Sequence, residues 1–382
     1  MKKILHTADL HIGAPFSGLP IRERERFRLL QEKALRRMVE YARLESVVLF
    51  LIAGDLFDSW DLPRATVEAV FSCLSSLDCP VLIAPGNHDP LTAHSPYLTQ
   101  KLPENVFVFR SEALSAFSFP EIGIDVFGYG FTSPMLDRSP IESLDDNFAI
   151  GDRLSILLLH GDLDSPLSRY GSIRSQDLSR SGADYVALGH VHNAPDELFS
   201  FGTAAGAYAG FPFGRSFDER GFGSARVITL TEKDDGSSPI LSSERIRVSD
   251  SRFEVLNIDV TGCESDDEAA DLLRHFFTEN ALGAETALRL SLSGEVSPRY
   301  TPDTKALTAR LSVDGAPAPL LLSDHTLPVL DGGYLEQDLT LRGELYRTLK
   351  PRMLEGSEEE RRDAALALRI GLAAIDGRPI LS

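Results

Sequence analysis

Four apolar runs stop in the same way. They are SVVLFLIAG (46–54), VLIAPG (81–86), LSILLLHG (154–161) and DYVALGH (184–190), and each stops at a glycine with Asp, Asn or His close by. Runs without polar alternation are strands buried on both faces, the habit of parallel sheets covered by helices. The chain also opens on Lys3-Ile4-Leu5 and then sets Asp9 and His11 two residues apart. In open α/β sheets ligands bind beyond the carboxyl ends of the strands. The polar residues of these runs therefore gather at the edge where such a sheet does its chemistry.

Helical patterns lie between the strands. In 62–77, Val67, Val70, Phe71, Leu74 and Leu77 recur at helical spacing behind Pro63. In 21–43, Phe27, Leu30, Ala34, Met38 and Tyr41 form an apolar stripe, and eight basic and four acidic side chains form the outer face. A solvated face is the expectation for that charge. A DNA contact is the alternative, because this is the most basic segment near the strand ends. TEKDDGSSP (231–239) reads as a turn between two hairpin strands near a domain boundary. Beyond it the pattern predicts strand 253–260, helix 266–279, strand 286–293, helix 302–310 and strand 318–322. A last helix is capped by Ser357 with Glu360 and stopped at Gly377. The class is α/β throughout.

At 382 residues the chain has room for two or three domains. The formal net charge of −19 argues against non-specific binding of polyanions and leaves a local basic strip as the route to DNA. No apolar stretch reaches membrane-spanning length, and Asp9 and His11 interrupt any signal-peptide core, so no membrane association is expected. Cys73, Cys79 and Cys263 have no metal-type spacing and read as reduced thiols of a cytoplasmic protein.

Collected, the strand ends are Asp9-x-His11, Gly54-Asp55, Gly86-Asn87-His88-Asp89, His160-Gly161 and Gly189-His190-Val191-His192. Any one histidine alone reads as a hydrogen-bonded core or loop residue. Carboxylates, an amide oxygen and several imidazoles on one sheet edge point instead to two divalent metals about 3.5–4 Å apart, sharing a carboxylate and activating water. Phosphoester hydrolysis needs that arrangement, because charge spreads over the phosphoryl oxygens.

The order D-x-H, G-D-x-x-D, G-N-H-D, H-G, G-H-x-H resembles the calcineurin-like metallophosphoesterases. ADLHIGAPFSGL, GDLFD, GNHDP, ALGHVH and GFPFGRSFDERG (210–221) look closer still to SbcD-type DNA repair nucleases of the YhaO-like branch. The resemblance covers residues 1–230, and the 250–322 unit is compatible with the family's capping domain by pattern. It implies a two-sheet β-sandwich flanked by helices, a smaller α/β capping domain and C-terminal helices, with boundaries at 1–248, 249–330 and 331–382. Carried over by position, Asp9, His11 and His192 would hold one metal and Asn87, His160 and His190 the other, with Asp55 bridging. Manganese suits these N and O donors, and iron or zinc also fit. His88 would protonate the leaving alkoxide, and the Asp58 carboxylate would accept its other N–H and orient the ring.

The resemblance also implies DNA, as single strands or duplex ends, as substrate, and a coiled-coil SbcC-like ATPase as partner; a homodimer is compatible with it. The apolar stripe Ala365, Leu368, Leu372 and Ile375, with Leu366 and Ile370 beside it, is either a docking helix for that ATPase or packs within the chain. A small-molecule (nucleotide) phosphoesterase and a non-catalytic subunit of an ATPase complex are the rival functions. His6 is expected to be structural, His275 and His325 to lie on the surface, His94 to sit in a loop near the site, and Trp60 to pack at a helix start.

Overall fold

The computed structural model describes residues 2–137, 139–143, 153–231, 240–297, 300–313, 315–329 and 332–377. The 232–239 part of the expected turn lies outside them. The chain forms two compact units, Met1–Phe253 and Glu254–Ser382.

In the first unit the elements run β1 Lys2–Thr7, α1 Ile21–Leu44, β2 Leu49–Ile52, α2 Arg64–Leu74, β3 Val81–Ile83, α3 Pro96–Thr99, β4 Val106–Val108, β5 Ser115–Phe119, β6 Ile124–Gly128, β7 Leu154–His160, α4 Ser175–Arg180, β8 Tyr185–Gly189, β9 Phe199–Phe201, β10 Ala204–Tyr208 and β11 Gly221–Thr231. The long strand β12, Ile240–Asp259, begins in this unit and ends in the second. One sheet has the order β12-β11-β1-β2-β3-β4 and the other β5-β6-β7-β8-β10-β9. β1 to β4 are mutually parallel, as are β6, β7, β8 and β10, so within each sheet the carboxyl ends share an edge.

The alternation of side chains along each strand builds the layers. Ile4, Leu49, Leu51 and Leu82 of the first sheet pack with Val126, Ile156, Leu158 and Ala187 of the second, filling the interior of a sandwich. The opposite faces of the same strands carry Leu5, Phe50, Ile52 and Ile83, which pack against Leu35 and Met38 of α1 and Val67 and Phe71 of α2. Leu157, Leu159, Val186 and Leu188 cover the outer face of the second sheet with Leu178 of α4. The fold is thus a two-sheet sandwich flanked by helices, with both faces of every central strand buried. The ladder of the 46–54 run is only four residues long, because Ser46 and Gly54 take positive φ at its two ends.

The second unit contains the end of β12, then α5 Asp266–Glu279, β13 Thr286–Ser293, β14 Glu295–Val296, α6 Thr304–Leu311, β15 Leu320–Asp324, β16 Leu327–Pro328, α7 Gly332–Gln337, α8 Leu341–Glu355 and α9 Glu358–Ile375. Leu288, Leu290 and Leu292 of β13 meet Leu273 and Phe277 of α5 and Leu307 of α6. Both halves of the capping box on α9 are formed, and Gly377 ends the helix at φ +69°. Leu368 and Leu372 pack within the unit, against Leu335, Leu345 and Tyr346. That part of the α9 stripe is core, whereas Leu366 is 56% exposed and Ile370 36%.

Candidate metal centre

Asp9 lies two residues beyond β1, Asp55 three beyond β2 and Asn87 four beyond β3; His160 ends β7 and His190 follows β8. Both sheets therefore supply side chains to one place. Asp9, His11, Asp55 and His190 all have positive φ, at +53°, +46°, +51° and +105°. Non-glycine residues avoid that region, and such strain persists where the surroundings over-determine it, often at functional sites. Close approach does the rest. A Cβ on Gly86 would stand 2.2 Å from Asp55 Oδ1, and one on Gly189 would stand 1.8 Å from the Ala53 carbonyl.

The nitrogen and oxygen atoms converge as two nests. In one, His11 Nε2 and His192 Nε2 are 3.4 Å apart, and His192 Nε2 lies 3.6 Å from Asp9 Oδ1. In the other, Asn87 Oδ1 lies 2.9 Å from His160 Nε2 and 3.1 Å from His190 Nδ1. A single oxygen, Asp55 Oδ2, stands between them, 3.6 Å from His11 Nε2 and 3.5 Å from His160 Nε2. Asp9, His11, Asp55 and His160 are buried.

Proton positions test whether a cation fits. His160 Nδ1 faces the Ala53 carbonyl at 2.8 Å, so that nitrogen donates, and burial holds the ring neutral by lowering its pKa. His160 Nε2 then presents a lone pair to two further acceptors, Asn87 Oδ1 and Asp55 Oδ2. Three acceptors turned on one another repel unless a cation lies among them. Burial, and then the charge of Asp9, push the Asp55 carboxyl up to about 6. Two buried carboxylates at such close quarters call for the same remedy. The donor set fits divalent metal.

A supporting layer holds the nests. Gln31 of α1, itself buried, donates from Nε2 to the Leu10 and His11 carbonyls at 2.9 and 3.0 Å and accepts from Gly13 N at 3.2 Å. Asp89 accepts from Gly86 N at 2.8 Å, Phe57 N at 3.1 Å and the Tyr97 hydroxyl at 2.5 Å. His192 Nδ1 meets Glu219 Oε1 at 2.6 Å, and Arg215 Nη2 reaches the same carboxylate at 2.9 Å. Burial alone would raise Glu219, but the His192 hydrogen bond and the Arg215 charge hold it at about 2. Arg226 and Arg245 grip the carbonyls of the loop after His192, including Asp196 at 2.9 Å and Ala194 at 3.0 Å.

Sequence reasoning gave none of these residues a role. Gln31 did leave a signal, a polar residue four after Phe27 on the buried side of a helix. Glu219 and Arg215 lie within GFPFGRSFDERG.

His88 is partly exposed, its ring edge-to-face with His11 at 4.5 Å. The expected carboxylate contact is replaced. His88 Nδ1 meets the main-chain carbonyl of Asp58 at 3.1 Å, with the carboxylate at 4.0 Å. Asp58 N donates to the Ile12 carbonyl, which fixes the loop so that the carboxylate turns to His11 Nδ1 at 3.3 Å and Arg215 Nη1 at 3.4 Å. His6 is buried against the Tyr185 hydroxyl at 2.9 Å, His275 is exposed beside Glu279, and His94 and Trp60 are exposed. The basic residues of α1 largely face acids: Arg26 to Glu23, Arg28 to Glu25, Arg36 to Glu32 and Arg37 to Asp250.

The chain is 28% identical over 306 residues to the uncharacterized metallophosphoesterase YhaO of Bacillus subtilis, covering 76% of this chain and 71% of that one. It is 27% identical over 274 residues to the SbcD component of the nuclease SbcCD of the same organism, covering 61% and 67%. Against the DNA double-strand break repair protein Mre11 of Aeropyrum pernix the identity is 28% over 207 residues, covering 50% and 49%. The profile of the calcineurin-like phosphoesterases matches residues 2–194, a span that holds both nests from Asp9 to His192, and the chain belongs to that metallophosphoesterase family.

Proposed function

We propose that the protein is a two-metal phosphodiesterase that cleaves DNA, a repair nuclease of the SbcD type. The position of Asp55 Oδ2 between two sets of lone-pair donors carries the reading. Asp9, His11 and His192 would hold one ion and Asn87, His160 and His190 the other, with Asp55 shared between them. Manganese is the metal assigned, with iron and zinc compatible with the same N and O donors. Bound there, the ions supply an activated water and neutralise charge developing on the phosphoryl oxygens.

The chain's own groups do the rest. His88 Nδ1 donates to the Asp58 carbonyl, which sets the ring plane. As imidazolium the ring carries a second proton on Nε2, which it would hand to the departing alkoxide, ending as the neutral Nδ1–H tautomer. Glu219 fixes the tautomer of His192 by accepting from Nδ1, so that Nε2 faces Asp9.

The names of two relatives, a DNA break-repair protein and one subunit of a nuclease, support DNA as substrate and a second subunit as partner, which the SbcD-type resemblance makes a coiled-coil ATPase of the SbcC kind. Leu366, Ile370 and Ile375 of α9 are large apolar side chains open to that partner. Three free cysteines accord with a reducing cytoplasm.

The test is Mn²⁺-dependent cleavage of single-stranded DNA beside a bis-aryl phosphodiester. Cleavage of both is expected. Cleavage of the aryl ester alone would make the protein a small-molecule phosphoesterase, and cleavage of neither would make it a non-catalytic subunit.

A further inference from the structure

We infer that the β11–β12 hairpin forms a subsite for the DNA strand next to the metal centre, with Phe222, Arg220, Arg247 and Arg252 gripping the nucleotides beside the scissile phosphate. The inference rests on the nuclease reading above and goes beyond it by saying where the strand runs.

The pairing of β11 with β12 slips between Phe222 and Ser224. Phe222 lies opposite Arg252, yet Ser224 lies opposite Arg247, so residues 248–251 form an excursion of the partner strand. A bulge of this kind re-aims side chains and is common beside active sites. Here it brings two guanidiniums to one ring, with the Arg247 carbon 3.3 Å and the Arg252 carbon 4.7 Å from the Phe222 centroid. Asp250, the carboxylate inside the excursion, is drawn to Arg37 of α1 by two hydrogen bonds of 2.6 and 2.5 Å and lies 3.8 Å from Arg247.

Phe222 and Arg220 also line a cavity of about 340 Å³ whose wall includes His192, so it opens beside the first metal nest. That volume is at the small end of ligand pockets and suits a single nucleotide. Arg220 is exposed. Its side-chain hydrogen bond, from Nε to the Phe217 carbonyl at 3.2 Å, leaves the terminal nitrogens without a carboxylate partner among the described residues.

In a chain of net charge −19 this local excess of guanidinium runs against the whole-protein field. It has the composition that binds a polyanionic strand, phosphate-binding arginines around an aromatic ring. The glutamates of α1 itself, one turn from its arginines, leave that helix a poorer candidate for the same task.

The test compares Arg220→Ala, Arg220→Lys and Arg247→Ala with wild type, all as the full Mn²⁺-loaded chain. Substrates are a thymidine oligonucleotide at several salt concentrations and bis(p-nitrophenyl) phosphate, which has no nucleotide to place. Each alanine variant should lower kcat/KM for the oligonucleotide relative to the aryl ester by about tenfold, through KM, and flatten the salt slope by about 0.7 per lost phosphate contact. Arg220→Lys should recover part of the preference.

Equal losses on both substrates would mean that the arginines merely support the His192 loop, and unchanged preference would mean that the strand leaves by another path. Either outcome overturns the subsite. A wild-type protein that cleaves only the aryl ester overturns the nuclease reading itself, which needs no variant to be seen.

Discussion

Gln31→Leu removes the side chain on which the loop of Asp9 and His11 leans. Two carbonyls and one amide lose their partners in a buried place. Leaving such a group unsatisfied costs about 1–3 kcal/mol each, against a total stability of about 5–15 kcal/mol for a domain. The cheaper response is for residues 9–13 to swing out to water, which surrenders the positive-φ conformations of Asp9 and His11. The damage is therefore expected in metal affinity at the nest of Asp9, His11 and His192, about 10–100-fold, the usual effect of losing an outer hydrogen-bonding partner. The nest of Asn87, His160 and His190 should keep its ion. Gln31→Glu separates hydrogen bonding from packing: it is nearly isosteric but cannot donate to the two carbonyls, so it should weaken the same ion. Equilibrium Mn²⁺ titration gives the two affinities, and thermal unfolding with and without Mn²⁺ reports on the fold. Two ions bound at wild-type affinity by both variants would refute the clamp.

His88→Ala should keep both metals and lose about 10²–10⁴ in rate on either substrate, whereas Asp55→Ala should lose both metals; loss of metal from the His88 variant would make that residue a ligand. His6 has its pKa lowered from 6.5 to about 3, chiefly by burial, so the fold holds it neutral while the unfolded chain takes up a proton. The stability it contributes is complete above pH 6.5 and is lost as pH falls toward 3, about 2 kcal/mol of it by pH 5. His6→Gln should flatten that acid limb in urea unfolding, and an unchanged limb would contradict the assignment. Leu366→Asp with Ile370→Asp should abolish co-purification with a co-expressed SbcC-like ATPase and leave oligonucleotide cleavage intact. Full-strength binding would move the partner to another surface.

The strands were legible because burial on both faces writes itself as unbroken apolar runs. The strand-end residues were legible because parallel strands bring their carboxyl ends to one edge, but the expectation of a single sheet edge failed, since His160 and His190 close strands of the second sheet. Gln31, Glu219 and Arg226 were not, since each reaches its loop from 18 or more residues away in sequence and only packing reveals the meeting. The Asp58 expectation missed for a local reason. Side-chain chemistry was read where backbone curvature decides, and the turn presents the carbonyl to His88 and the carboxylate to His11 and Arg215. The α1 charges agree with the expected solvated face, since the arginines meet acids one turn along or on the neighbouring strand, and only the DNA alternative for that helix loses ground.

The site draws on both halves of the sandwich. Asp9, Asp55 and Asn87 come from the edge of one sheet, and His160 and His190 from the other. No contiguous fragment of the chain shorter than Asp9 to His192 contains the set, so a module cannot be grafted out of this protein with its chemistry attached. The centre belongs to the seam, and ions seated there would act as rivets between two leaves. Metal loss should then part the leaves at that edge first, and amide exchange at the ends of β7 and β8 would report it before any global unfolding does.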